Sequence, residues 1–305
     1  SDLGGLPVVA TAGGGSLRCA LVTALVGLLI FLSCATGQRD KGGLQPLEAL
    51  SAAEVERALG PKRLALLVGI NHFEDEHWPA LKHAVADARD LGALLKAPAQ
   101  GRFDKVWLLA DETGVDRLRI ETALSELVAA NHSAEDTVFV YFSTHGTLAH
   151  GAEGKLGRYL VASDSRQAHI TESALSVGWL LKRFDALPSR RKALVLASCH
   201  SGSGKSALPE RVSAELQGIK GAFFVKPLEE ISQASMVMTA CAWGETARED
   251  DALGHDIYTN FLIEALRQGD DDGDGAVTAS EAHAHAMART YYFSKGRQRP
   301  QVESS

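Results

Sequence analysis

Six short, almost unbroken apolar runs constrain this chain more than any other feature. They are "RLALLVGI" from Arg63, "KVWLLAD" from Lys105, "DTVFVYFSTHG" from Asp136, "RYLVASD" from Arg158, "KALVLASCH" from Lys192 and "ASMVMTACAW" from Ala234. A strand with one wet face alternates apolar and polar residues, whereas a strand covered on both faces reads as a continuous apolar run. Between the runs lie stretches with helical spacing. "ALKHAVADARDLGALLKA" places Leu81, Val85, Ala88, Leu91 and Leu95 on one stripe, and "VDRLRIETALSELVAAN" does the same with Leu118, Ala123, Leu124 and Leu127. "ALSVGWLLKRFDAL" is a helix closed by Pro188, and "DIYTNFLIEALRQ" and "ASEAHAHAMARTYYFSK" are two more. Strands alternating with helices predict an α/β domain, a mainly parallel sheet with helices on both faces. In such a sheet, chemistry collects in the loops beyond the carboxyl ends of the strands.

The 305 residues are 45% apolar and 23% charged, ordinary for one sizeable core. A formal charge of −7 argues against a nucleic-acid partner. The four cysteines, Cys19, Cys34, Cys199 and Cys241, are too few for a disulfide framework. Two of them sit in "SLRCALVTALVGLLIFLSCATGQRD", where Arg18 precedes a long uncharged run that ends in Leu32-Ser33-Cys34-Ala35. A basic residue, an apolar stretch and small residues at its end describe an export signal. The end resembles a bacterial lipoprotein signal with Cys34 acylated, although Phe31 stands where an aliphatic residue is usual. A cleaved signal and an uncleaved anchor are the other readings, the run being near the lower limit for spanning a bilayer. The expectation is an exported, periplasm-facing envelope protein, lipid-anchored through its N-terminal segment. Residues 1–40 form that segment, 41–61 a linker with the short helix "PLEALSAAEVERALG", and 62–305 one domain.

The stretch "KALVLASCHSGSGKS" offers a phosphate loop or a nucleophile turn. A phosphate loop needs a glycine five residues before the one preceding its lysine. Counting back from Gly204 lands on Cys199, and Pro209 interrupts the helix that should follow Lys205. The nucleotide reading is poor, and Lys205 reads as a solvated residue of a Gly/Ser loop. A thiol nucleophile needs an imidazole to take its proton and backbone N–H groups to hold an oxyanion. "STHG" and "ASCHSG" close two of the apolar runs, so His145 and Cys199 should meet at one sheet edge although 54 positions separate them (199 − 145). His200 should point away from Cys199, and Cys241, on the next run, reads as core or as a partner for Cys199 under oxidation.

"ALLVGINHF", "HAVADARDLGALL", "VFVYFSTHGT", "YLVASD", "VLASCHSGSG" and "RQRPQ" together resemble the caspase-like clan, nearest its bacterial metacaspase-like (orthocaspase) branch, from about Arg63 onward. The resemblance implies a caspase/hemoglobinase-like three-layer fold and a Cys/His dyad endopeptidase acting on a protein or peptide substrate. It makes His145 the general base, Cys199 the nucleophile, and the N–H groups of Cys199 and Gly146 the oxyanion hole. Metacaspases carry an acid two places before the cysteine, which favours a basic P1 residue; here Ala197 stands there. Asp164 is then the remaining acid for a basic P1 pocket, or else a helix or turn cap, in which case P1 is small or apolar. The tract after Cys199 is where caspases are cleaved on maturation, which makes Lys205, Arg211 and Lys220 self-cleavage candidates. Glu245 to His255, "ETAREDDALGH", borders the substrate groove in the family or is a solvated loop.

"DDDGDGAVTASE", residues 270–281, fits a twelve-residue EF-hand loop. Asp270, Asp272, Asp274, the Ala276 carbonyl and Glu281 fall at ligand positions, and Gly275 at the sharp turn. The expected cofactor is Ca2+, activating or only stabilising. A catalytically silent, calcium-binding scaffold in the envelope is the alternative to a peptidase.

Overall fold

The computed structural model describes residues 60–98, 101–151, 154–198, 236–242, 245–270 and 272–304. The chain divides into two units, 1–60 and 61–305. The anchor segment, Cys34 and the linker helix lie outside the described residues, as do Cys199, His200, Lys205, Arg211 and Lys220.

Among the described residues the central sheet has six strands in the order β11–β8–β7–β3–β1–β2. These are β1 (Arg63–Gly69), β2 (Lys105–Leu109), β3 (Thr137–Ser143), β7 (Arg191–Ala197), β8 (Met236–Thr239) and β11 (Gln301–Ser304). The first five run parallel, and β11 closes one edge antiparallel to β8. Side chains alternate between the faces of a strand, and each face has its own core. Ala65, Leu67, Tyr141, Val195 and Met238 pack under α1 (Ala84–Lys96), α5 (Ile257–Gln268) and α6 (Ala279–Phe293). Leu66, Val68, Val140, Phe142 and Leu194 pack under α2 (Arg117–Ala130) and α4 (Val177–Asp185). Each such Leu, Val or Phe contributes about 1.5–3 kcal/mol by leaving water. The runs are therefore apolar throughout because both faces are covered, which is the predicted three-layer α/β fold.

Local sequence sets the helix starts. Asp116 accepts from the N–H of Arg119 at the head of α2, and Ser176 from that of Trp179 at the head of α4. Asp256 accepts from the N–H groups of Tyr258 and Thr259 at the head of α5. Helix α1 sits hard on the sheet: a Cβ at Gly69 would lie 2.2 Å from the carbonyl oxygen of Ala84, so only glycine lets β1 pass there.

Two elements depart from the sequence reading. "RYLVASD" contributes β5 (Leu156–Leu160) not to the parallel sheet but to a separate antiparallel one, β4 (Gly146–His150), β5 and β6 (Leu175–Ser176). After β3 the chain turns aside at Thr144-His145 and is held there by hydrogen bonds from Thr144 Oγ1 to Val161 O and from Val161 N–H to His145 O. β11 carries no strand signal in the sequence, because "QVES" has no apolar run and its edge position asks for none. The remaining elements are a 3-10 turn (Gln167–His169), α3 (Ile170–Ser173) and the hairpin β9 (Glu249–Asp250) and β10 (His255–Asp256).

Candidate active site and acidic loop

β3 and β7 adjoin, and their register sets Ser143 opposite Ala197. From those partners the chain continues to His145 on one side and to Ser198 on the other. Cys199 follows Ser198 directly in the sequence and lies outside the described residues.

His145 has no exposed surface. Its Nε2 lies 2.6 Å from the carbonyl oxygen of Pro79. A carbonyl only accepts, so Nε2 carries the hydrogen, and the lone pair of the neutral ring is on Nδ1. The ring is wedged beside Phe73, at 4.9 Å between centroids, and Trp78, at 6.2 Å. Trp78 is itself pinned by its indole N–H to Ser165 O. The imidazole therefore has one orientation and one tautomer. Gly146, buried, opens β4 opposite Leu160.

A cleft of about 630 Å³ opens at His145. Residues 79–82 form one wall and residues 246–251 the other. Glu249 joins the two: its carboxylate oxygens accept from the N–H groups of Lys82 and His83. His83 is the N-cap of α1 and makes no side-chain cap of its own; Glu249 from β9 takes its N–H, and Asn71 Oδ1 accepts from that of Val85. Asp251 adds contacts to Lys82 Nζ at 2.7 Å and His83 Nε2 at 2.9 Å. The hydrogen bond to Lys82, then that to His83, holds its carboxyl below the usual range. The ion pair is well exposed and adds little to stability. The tract 245–255 thus borders the His145 cleft, one of the two readings its sequence allowed.

Beneath this wall lies Asp87, fully buried. It accepts from Ser143 Oγ at 3.0 Å, from His255 Nδ1 at 2.9 Å and from the Asp256 N–H at 3.1 Å. Sequence reasoning missed Pro79, Asp87 and the contact that Glu249, inside the acidic tract, makes to the head of α1. Pro79 and Glu249 act on or through backbone groups, and no side-chain pattern marks them. Asp87 did leave a signal: a carboxylate on the stripe of α1 that also carries Ala84, Ala88 and Leu91.

Neither proposed P1 residue belongs to this cleft. Ala197 is wholly buried in the core layer with Tyr141 and Val195, because period-2 alternation turns it toward the helices. Asp164 Oδ1 accepts from the N–H of Arg117, the first residue of α2, at 3.0 Å, so the cap reading describes it. Cys241 is buried, with Sγ 3.5 Å from Glu245 O.

The acidic loop joins α5 to α6. One carboxylate oxygen from each of Asp270, Asp272 and Asp274 falls within 4.8 Å of the others. Calcium takes oxygens at about 2.3–2.6 Å, so two ligands on opposite sides of one ion stand about twice that apart. The three groups fit that sphere. Gly275 has φ +87°, the left-handed turn the sixth loop position requires. Glu281 is engaged elsewhere: its Oε2 accepts from Thr278 N–H at 2.8 Å and Thr278 Oγ1 at 2.7 Å, in a capping box at the head of α6.

A caspase-domain family model matches residues 62–305. The chain belongs to the caspase-domain family. Among solved structures, the caspase domain is similar to protein GSU0716 from Geobacter sulfurreducens, with TM-score 0.58, 17% identity, and coverage of 80% of this chain and 94% of that one. It is also similar to caspase-1 from Spodoptera frugiperda, with TM-score 0.53, 14% identity, and coverage of 80% and 86%. At these identities the likeness establishes the shared fold. No curated protein matches the chain. Membership supports a cysteine peptidase in general, and with it a protein or peptide substrate class.

Proposed function

We propose that the chain is an endopeptidase whose nucleophile is Cys199 and whose general base is His145. The observation that carries this reading is the hydrogen bond from Nε2 of His145 to Pro79 O, on the floor of the cleft and beside the end of β7. It commits the lone pair to Nδ1, the state a base must have before it takes a thiol proton. The thiolate attacks the peptide carbonyl, and the oxyanion is held by backbone N–H groups, that of Gly146 among them. The imidazolium then protonates the leaving amine, and water, deprotonated by the same ring, releases the acyl group. With Ala197 in the core and Asp164 at α2, the charge at the cleft comes from three acids, Glu249, Asp250 and Asp251, against two cations, Lys82 and Arg248. This small acidic excess supports a basic residue in the substrate, in agreement with the branch the sequence resembles.

Calcium belongs to the same reading. Asp270, Asp272 and Asp274, with the Ala276 carbonyl, would hold the ion, and Glu281 would complete the set by leaving the Thr278 cap. The ion would supply charge neutralisation of the loop and fix the joint between α5 and α6.

The test is a panel of fluorogenic peptides with Arg, Lys, Asp or Ala at P1, with calcium and with a chelator. Cleavage after Arg or Lys, lost in Cys199→Ala, is the expected result, with a lower melting temperature in the chelator. No cleavage of any peptide, and no change on Cys199→Ala, would sink the peptidase in favour of a silent scaffold.

The envelope location is proposed on the apolar run before Cys34. The intact mass of the mature chain should show acyl groups on Cys34. A chain that begins at Cys34 or just after it without lipid would instead mean a plain cleaved signal.

A further inference from the structure

Both ring nitrogens of His255 face carboxylates. Nδ1 is 2.9 Å from Asp87 and Nε2 is 3.4 Å from Asp90, and the side chain is only 15% exposed. A neutral imidazole donates from one nitrogen only, whereas an imidazolium donates from both. The charged groups facing it are Asp87 and Asp90 from α1 and Asp256 from the head of α5; Asp250, its register partner in the β9–β10 hairpin, turns Oδ1 to the N–H groups of Ala252 and Leu253. All three facing groups are acids, so the surroundings are built for a cation.

The location gives this cation a task. The hairpin that carries His255 also carries Glu249 and Asp250, which wall the cleft. Asp87, which receives the His255 proton on one oxygen, receives Ser143 Oγ on the other, two residues before His145. Three pieces of the site therefore meet at one buried carboxylate: helix α1, the end of β3 and the hairpin.

We propose that His255, as an imidazolium, is a positioning residue that latches the acidic wall of the cleft onto α1 and β3, and that losing its proton loosens the wall. The hydrogen bond to Asp87 raises the His255 pKa above 6.5, against the opposing effect of burial, and the charges of Asp87, Asp90 and Asp256 raise it further. A group whose folded pKa is raised stabilises below its unfolded value and ceases to do so as pH climbs through the folded one. The latch is closed in acid and opens on the alkaline side. The effect on peptide binding rests on the peptidase reading; the latch itself does not.

Hydrogen exchange of the amides of residues 249–256, corrected for intrinsic rate, tests it in the full chain carrying Cys199→Ala. Between about pH 5.5 and 9, protection should fall about tenfold as the His255 charge facing Asp87 and Asp90 is lost. Asp90→Asn, a change at an exposed carboxylate, should move the midpoint to lower pH. His255→Asn, whose amide can still donate to Asp87 but does not titrate, should make protection independent of pH. In the chain with Cys199 intact, the same variants should alter KM for a fluorogenic peptide and leave kcat nearly unchanged. Protection that is flat with pH in the native sequence, or a midpoint unmoved by Asp90→Asn, overturns the latch even if peptides are cleaved. Protection that titrates while no peptide is cut leaves the latch standing and removes the peptidase.

Discussion

His145→Ala is expected to lower kcat/KM for a cleavable fluorogenic peptide by about 10³–10⁴-fold, the scale of a lost general base together with its orienting contacts. The more discriminating change is His145→Gln. Its amide can donate to Pro79 O as Nε2–H does, so ring-like placement is largely kept, but it has no basic lone pair for a thiol proton. Equal losses in the two variants would assign the effect to proton transfer. A Gln variant close to the native rate would make His145 a turn residue and end the dyad. The structural argument is the hydrogen bond at 2.6 Å to a carbonyl that can only accept. The ring cannot flip to present Nε2 as the base without breaking it.

The second large effect is an acid instability located between α5 and α6. His283 is buried, and its Nδ1 is 2.8 Å from the Tyr258 hydroxyl. Its Nε2 has no hydrogen-bond partner among the described residues. Burial pushes its pKa down to about 4 from 6.5, so the folded ring stays neutral where the unfolded one is charged. Between those two values the unfolded state holds more protons, and stability is lost as pH falls. The full loss is on the order of 3 kcal/mol. Urea titrations at two pH values, one near neutrality and one near the folded pKa, should show this drop. His283→Leu should remove most of it relative to the native chain. Parallel losses in both proteins would place the acid sensitivity elsewhere. The direction is opposite to that of His255, which stabilises toward acid, so the two histidines are separable by the sign of their pH dependence.

The sequence carried the layers well, for a physical reason. β1, β3 and β7 are covered on both faces, and nothing but an unbroken apolar run satisfies such a position. Their ends were legible too, since a His-Gly and a small residue before a cysteine interrupt those runs. What the sequence could not display were contacts made by backbone atoms and by partners far along the chain. Pro79 acts through its carbonyl alone. Glu249 caps a helix whose N-cap lies 166 residues earlier, and capping rules consider only near neighbours. The family resemblance puts Ala197 at the substrate, two places before Cys199, yet on a strand the face is decided by parity, and parity turns it to the core. Asp164 is a cap because α2 begins beside it. The acidic loop was legible in full as a pattern; the Glu281 capping box was hidden because Glu serves both as ligand and as cap.

Because β3 feeds two cores by strict alternation, the domain can absorb inserted or deleted residues only at certain places. Removing one residue from Thr137–Ser143 would exchange the partners of Tyr141 and Phe142 across the sheet and turn every later side chain of the strand the wrong way. Length variation among descendants of such a gene should therefore gather in the turns, while the short segment leading to His145 keeps a constant count.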